Sequence, residues 1–133
     1  MIVIGLTGSI AMGKSTASTM LAAMDGVAVL CSDDIVRGLY GQRAVIDLIR
    51  ARFPASYDVR RRQIDKTRLL SELGTDPEKW AALEEILHPL VLAAQQKFLR
   101  EQRALGTKFA VLDIPLLFET SGEQRADYTI VVT

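Results

Sequence analysis

Cysteine is nearly absent from the 133 residues. The single Cys31 excludes an internal disulfide framework and fits a reducing compartment. No apolar run approaches the roughly 18 residues that mark a membrane span, so no membrane partner is expected. Charge of one sign is lacking too, because 16 Lys and Arg balance 16 Asp and Glu. That excludes a global basic field of the kind non-specific nucleic-acid binding needs, and no nucleic-acid partner is expected. Internal repeats, low-complexity linkers and a basic leader are missing as well. The opening MIVIGLTGSI runs straight into a glycine turn and reads as a buried strand of a mature, cytoplasmic protein. What is present is apolar: 49% of residues are hydrophobic, too rich for disorder and enough for a compact domain with a core.

The apolar pattern switches period along the chain. Ile2–Leu6 and Val27–Cys31 are short runs with β-branched members, read as buried parallel strands. Between them Lys14–Met24 has helical spacing and stops at Asp25-Gly26. Helices are expected over 34–40, 42–53 and 66–73, with an arginine-rich loop over 55–65. Thr75-Asp76-Pro77 resembles a helix start. Residues 78–87 continue it, His88-Pro89 interrupts it, and 90–105 form a longer helix. Phe109–Ile114 and Tyr128–Val132 are two more strands. The order predicts an α/β, three-layer fold with a parallel sheet of about four strands, built from residues 1–34 and 106–133. Residues 35–105 would form a helical subdomain for the acceptor.

Gly8-Ser-Ile-Ala-Met-Gly13-Lys14-Ser15 fits G-x-x-x-x-G-K-S/T, between a predicted strand and a predicted helix. Phosphate oxygens need inward-pointing backbone N–H groups, and glycine permits the turns that supply them. The helix N-terminus adds positive potential. Lys14 is expected to neutralise charge on the β- and γ-phosphates, and Ser15 to place its hydroxyl on Mg²⁺. Nucleotide contacts are thus expected from Gly8, Ala11, Met12, Gly13, Lys14, Ser15 and Thr16. Ala11 stands where related kinases often carry glycine, at a cost of about 1–2 kcal/mol if its φ is positive.

The second strand ends in Cys31-Ser-Asp33-Asp34. A carboxylate here would sit at the C-terminal sheet edge, able to accept a proton from an attacking hydroxyl. The same Ser-Asp-Asp is also a common helix start. Asp113 ends an apolar run and is read either as a Mg²⁺ ligand or as the cap of the next turn. Trp80 reads as helix core, and Arg60–Arg62 as a solvated loop.

These residues, with Leu83-Glu-Glu-Ile-Leu-His88-Pro89-Leu-Val91 and Asp113-Ile-Pro115-Leu-Leu-Phe-Glu119, resemble the dephospho-coenzyme A kinase family over nearly the whole chain. The resemblance implies transfer of the ATP γ-phosphoryl group to the ribose 3′-hydroxyl of dephospho-coenzyme A, the last step of coenzyme A synthesis. It places the base at Asp33, with Lys14 as the other catalytic residue. Acceptor contacts fall on Asp33, His88, Pro89, Leu116 and Glu119, and metal contacts on Ser15 and Asp113. Two departures stand out. Cys31 replaces the first aspartate of the family's Asp-x-Asp, and Lys66 replaces an arginine after Asp65, losing a bidentate fork.

The family continues into a basic lid and a fifth strand, so the resemblance implies a chain shortened at its C-terminal end and weak in ATP binding and transfer on its own. Two other readings stay open. One is a P-loop kinase with a nucleoside or shikimate-like acceptor. The other is a non-catalytic ATP-binding fragment. An exposed edge on the last strand would also favour self-association.

Overall fold

The computed structural model of the chain describes residues 1–8, 13–113 and 126–132. The elements in order are β1 (Ile2–Gly8), α1 (Lys14–Ala22), β2 (Val27–Cys31), α2 (Ser32–Leu39) and α3 (Arg43–Arg52). A 3₁₀ turn (Pro54–Ser56), β3 (Tyr57–Asp58), β4 (Gln63–Ile64), α4 (Lys66–Leu73), α5 (Pro77–Leu105), β5 (Phe109–Asp113) and β6 (Tyr128–Val132) follow. By contacts the chain forms two compact units, one of residues 1–34 with 92–133 and one of residues 35–91.

The first unit holds a four-stranded sheet in the order β2-β5-β1-β6, with every pairing parallel. Its strands are apolar on both faces, as parallel sheets covered by helices require. β1 is central, and Val3, Leu6, Ala110, Val111 and Leu112 are all buried. Leu99, and Phe98 in part, supply the helical layer packed on Val3, Ala110 and Leu112. The sheet register puts Leu6 and Cys31 on either side of Asp113, and Gly8 beside Val132. Three strands thus end together at Gly8, Cys31 and Asp113, the edge where ligands bind in sheets of this kind. β1 runs two residues past its expected end at Leu6 because β6 pairs with it as far as Gly8.

The second unit has its own core: Val45, Ile46, Ile49 and Phe53 of α3, Leu69 and Leu73 of α4, and Leu83, Leu87 and Val91 of α5. The residues of α3 follow helical spacing, which is why that pattern was legible. Three expectations are corrected here. The arginine-rich stretch is not a plain loop; it is a 3₁₀ turn followed by an antiparallel β3–β4 hairpin. Asp58 builds that hairpin, its Oδ1 accepting from the amides of Arg60 and Arg61. Trp80 is at the surface, and its indole N–H donates to the Gly74 carbonyl at 3.0 Å, closing the end of α4.

The third correction concerns His88-Pro89, which does not break the helix. α5 runs from Pro77 to Leu105 with Pro89 inside it. Proline removes one N–H and crowds the carbonyl four residues back. Pro89 and Glu85 are both exposed, so that penalty falls on the watered side. The opposite face is a stripe at four-residue spacing, with Leu83, Leu87, Val91, Gln95 and Leu99 all buried, and its burial holds the helix continuous. The compact units also part at Val91, inside α5, whereas the sequence placed that boundary at residue 105. Residues 92–105 join the sheet because Phe98 and Leu99 pack on it.

Candidate active site

The sheet edge carries the chemistry. Gly13 precedes α1 with φ +90°, a left-handed conformation that glycine adopts at no cost from a Cβ. Gly8, at the end of β1, has φ +137°. A Cβ on Gly8 would overlap the Val132 carbonyl oxygen, so this glycine is required by β6 as well as by its own φ. Lys14, Ser15 and Thr16 follow in the first turn of α1. Ser15 and Thr16 are exposed, while Lys14 is buried.

Lys14 Nζ lies 2.9 Å from Asp113 Oδ1, and both side chains are below a tenth exposed. A buried lysine and a buried aspartate stay charged only when paired. The contact has ion-pair distance without hydrogen-bond alignment, so Oδ1 keeps an unfilled acceptor direction among the described residues. Asp113 is therefore not a surface aspartate. It is the fixed negative charge at the end of β5, beside the lysine that opens α1.

Asp33 and Asp34 lie in the first turn of α2, where negative charge is favoured by the helix dipole. α2 begins directly at Ser32, so both aspartates are inside the helix and neither is the residue before it. Asp33 is exposed, two residues past the end of β2 at Cys31. Cys31 is the Cα partner of Asp113 in the ladder.

One residue escaped the sequence reading. Gln95 Nε2 donates to Ser32 Oγ at 3.3 Å, and both residues are almost wholly buried. Ser32 immediately precedes Asp33, so Gln95 fixes the start of α2 from α5. The signal was available: Gln95 is the one polar member of an otherwise apolar stripe through Leu83, Leu87, Val91 and Leu99.

The remaining expected residues fall elsewhere. His88 is half-buried and Pro89 exposed, both on α5 in the second unit. Ala11, Met12, Leu116 and Glu119 lie outside the described residues. No cluster of three or more His, Cys, Asp or Glu side chains suited to a metal exists among the described residues. No described helix is long and apolar enough to cross a membrane.

A parallel sheet whose central strand leads through a left-handed glycine into a helix opened by Lys14-Ser15, with an aspartate at the end of the neighbouring strand, defines an α/β protein of the P-loop class. Within that class, the chain belongs to the dephospho-CoA kinase family, whose family model matches residues 2–133. It is 47% identical over 133 residues to a dephospho-CoA kinase of Rhizobium meliloti, covering all of this chain and 66% of that one. It is 48% identical over 133 residues to one of Agrobacterium fabrum, with the same coverage. The chain thus spans just under two thirds of the length of these curated relatives. Among solved structures, one from Thermus thermophilus aligns with a TM-score of 0.79 at 31% identity, covering 99% of this chain and 65% of that one. A dephospho-CoA kinase from Campylobacter jejuni shares the fold, with a TM-score of 0.63 at 20% identity, covering 98% of this chain and 88% of that one.

Proposed function

We propose that this chain carries the phosphate-binding and acceptor-activating part of an enzyme that transfers the γ-phosphoryl group of ATP to the ribose 3′-hydroxyl of dephospho-coenzyme A. The observation that carries the reading is the buried Lys14–Asp113 pair at the C-terminal sheet edge. Phosphoryl transfer leaves little covalent chemistry to the protein, so positioning and charge are what its residues must supply. Lys14 opens α1 directly after Gly13, and its ammonium can exchange Asp113 for phosphate oxygens. Asp33, exposed at the head of α2, accepts the proton of the acceptor hydroxyl. Ser15, Thr16 and the amides around Gly13 orient the triphosphate, joined in this reading by Gly8, Ala11 and Met12. His88 and Pro89, with Leu116 and Glu119, serve the acceptor, and the unit of residues 35–91 is its subdomain.

A magnesium ion fits these residues. The hard oxygen donors Ser15 and Asp113 are present, and the open acceptor direction on Asp113 Oδ1 suits an ion that keeps most of its water. Ser15 and Asp113 would hold it, and it would supply neutralisation of charge between the β- and γ-phosphates.

A coupled ADP-release assay with Mg²⁺-ATP and dephospho-coenzyme A tests the reading. The expected result is acceptor-dependent ADP release that Lys14→Ala lowers by roughly 10²–10³-fold, the scale of losing one preorganised charge donor. ADP release at equal rate with a nucleoside or shikimate would overturn it. The setting we assign is the cytoplasm. We also propose that this chain self-associates through β6, the outermost strand, on which Tyr128, Ile130 and Val131 are exposed. A concentration-independent monomer mass in light scattering would contradict that.

A further inference from the structure

Arg37 of α2, Arg61 of the β3–β4 turn and Lys66 at the start of α4 converge on one open cleft of about 510 Å³ within the second unit. Tyr40 and Asp65 complete its lining that matters here. Of the cations, Arg61 and Lys66 are like charges from separate elements, which repel unless something negative lies between them. The one carboxylate in the cleft is committed elsewhere. Asp65 caps α4, accepting from the Arg68 amide at 3.1 Å, and stands 3.9 Å from the Arg68 guanidinium. Among the described residues no carboxylate lies within ion-pair distance of Arg61 or Lys66.

The cations are also held in place. The Arg60 and Arg61 amides donate to Asp58 Oδ1, and the Arg62 amide donates to the Asp58 carbonyl at 2.8 Å. Arg62 takes the left-handed conformation, φ 57°, uncommon for a side chain of its size. Its carbonyl accepts from the Arg43 guanidinium at 2.9 Å. Lys66 rests over the Tyr40 ring, 5.5 Å from its centroid. Burial raises the Tyr40 hydroxyl above its ordinary range, leaving it a neutral donor at neutral pH. Cationic groups on an ordered turn and a capped helix meet an anion with little ordering left to do.

We infer that this cleft binds a diphosphate group, and that in the proposed reaction it takes the diphosphate linker of the acceptor, with Arg61 and Lys66 as specificity-determining residues. The cleft is large for a single phosphate, and Arg61 and Lys66, set on separate elements, can each meet one of the two singly charged phosphates of a diester linker. Arg37 stands four residues after Asp33 in the same helix. The inference rests on the kinase reading for the identity of the acceptor, but the diphosphate site can be tested without it.

The experiment uses calorimetric titration of the protein with dephospho-coenzyme A and, separately, with inorganic pyrophosphate, alongside the transfer assay. Arg61→Ala and Lys66→Ala are each expected to weaken both ligands about tenfold, the scale of one charge-assisted hydrogen bond, with ATP affinity within about twofold of the original. Lys66→Arg should retain binding, and Arg103→Ala, on the last turn of α5, serves as the surface-charge control. Equal binding of both ligands by the Arg61 and Lys66 variants, or no binding of either ligand by the unmodified protein, overturns the cleft. Binding that depends on Arg61 and Lys66, with transfer that runs equally well to a nucleoside, supports the cleft and removes the kinase reading. Transfer whose acceptor KM ignores both substitutions does the reverse.

Discussion

Gln95 on α5 donates a buried hydrogen bond to Ser32, the residue that opens α2, across a sequence separation of 63 residues. A polar group in an apolar stripe is costly unless it is satisfied. We expect Gln95→Leu to strand the Ser32 hydroxyl and to destabilise the fold by about 1–3 kcal/mol. Ser32→Ala in the same background should recover part of that loss, because both polar groups are then gone. A double-mutant cycle by chemical denaturation measures the coupling, and additive losses would contradict it.

Asp113 is the counter-charge of a buried lysine. Asp113→Asn keeps the shape and removes the charge, leaving the Lys14 ammonium without this partner. Breaking one side of a buried pair costs about 3–5 kcal/mol, so a marked fall in the denaturation midpoint is expected. Excess ATP should restore part of it, since phosphate replaces the missing charge and binding adds stability by mass action. A midpoint equal to that of the unmodified protein would show that the pair contributes nothing.

Gly8 is needed for two independent reasons, its φ of +137° and the nearness of the Val132 carbonyl. Gly8→Ala must either force β6 away or strain the backbone, at about 1–3 kcal/mol. Loss of amide protection along Tyr128–Val132 in hydrogen exchange would locate the damage. Unaltered protection there would show that β6 tolerates the side chain.

Asp58 is held below the ordinary carboxylate value of 3.8, first by the hydrogen bond from the Arg61 amide and then by that from Arg60. A folded pKa below the unfolded one means that the hairpin's stabilisation is fully present above the unfolded value. It is lost as pH falls through the folded one. The order of the Arg61 turn should therefore persist at neutral pH and decay only in acid below 3.8. Carboxyl titration by NMR checks this, and a midpoint at or above 3.8 would overturn it.

The strands and the start of α1 were legible because they are local signals: short β-branched runs, and glycines followed by Lys14-Ser15. The α3 stripe was legible from its helical period. Long-range partnership was not. That Asp113 meets Lys14 depends on β5 entering the sheet next to β1, which no spacing in the chain reveals. Pro89 misled because the local rule against proline in helices competes with burial on the opposite face of α5, and burial won. Trp80 misled because size suggested core, whereas its N–H found a carbonyl at a helix end. Arg60–Arg62 are exposed, as a solvated run should be, but the sequence does not show that Asp58 folds them into a hairpin turn.

The strand order has a consequence for biosynthesis. β1 and β2 are neighbours in sequence but not in the sheet; β5 must enter between them, and its partner for Ile2 is Phe109. During translation the first two strands therefore wait for their shared neighbour while the intervening helices, with a core of their own, are already available to collapse. Closing so long a loop is slow. Pulse-labelled refolding should find amides of α3 and α4 protected before those of β1, and simultaneous protection would argue for a single concerted event. The edge shared by Leu6, Cys31 and Asp113 would then come together only after the helical core has formed.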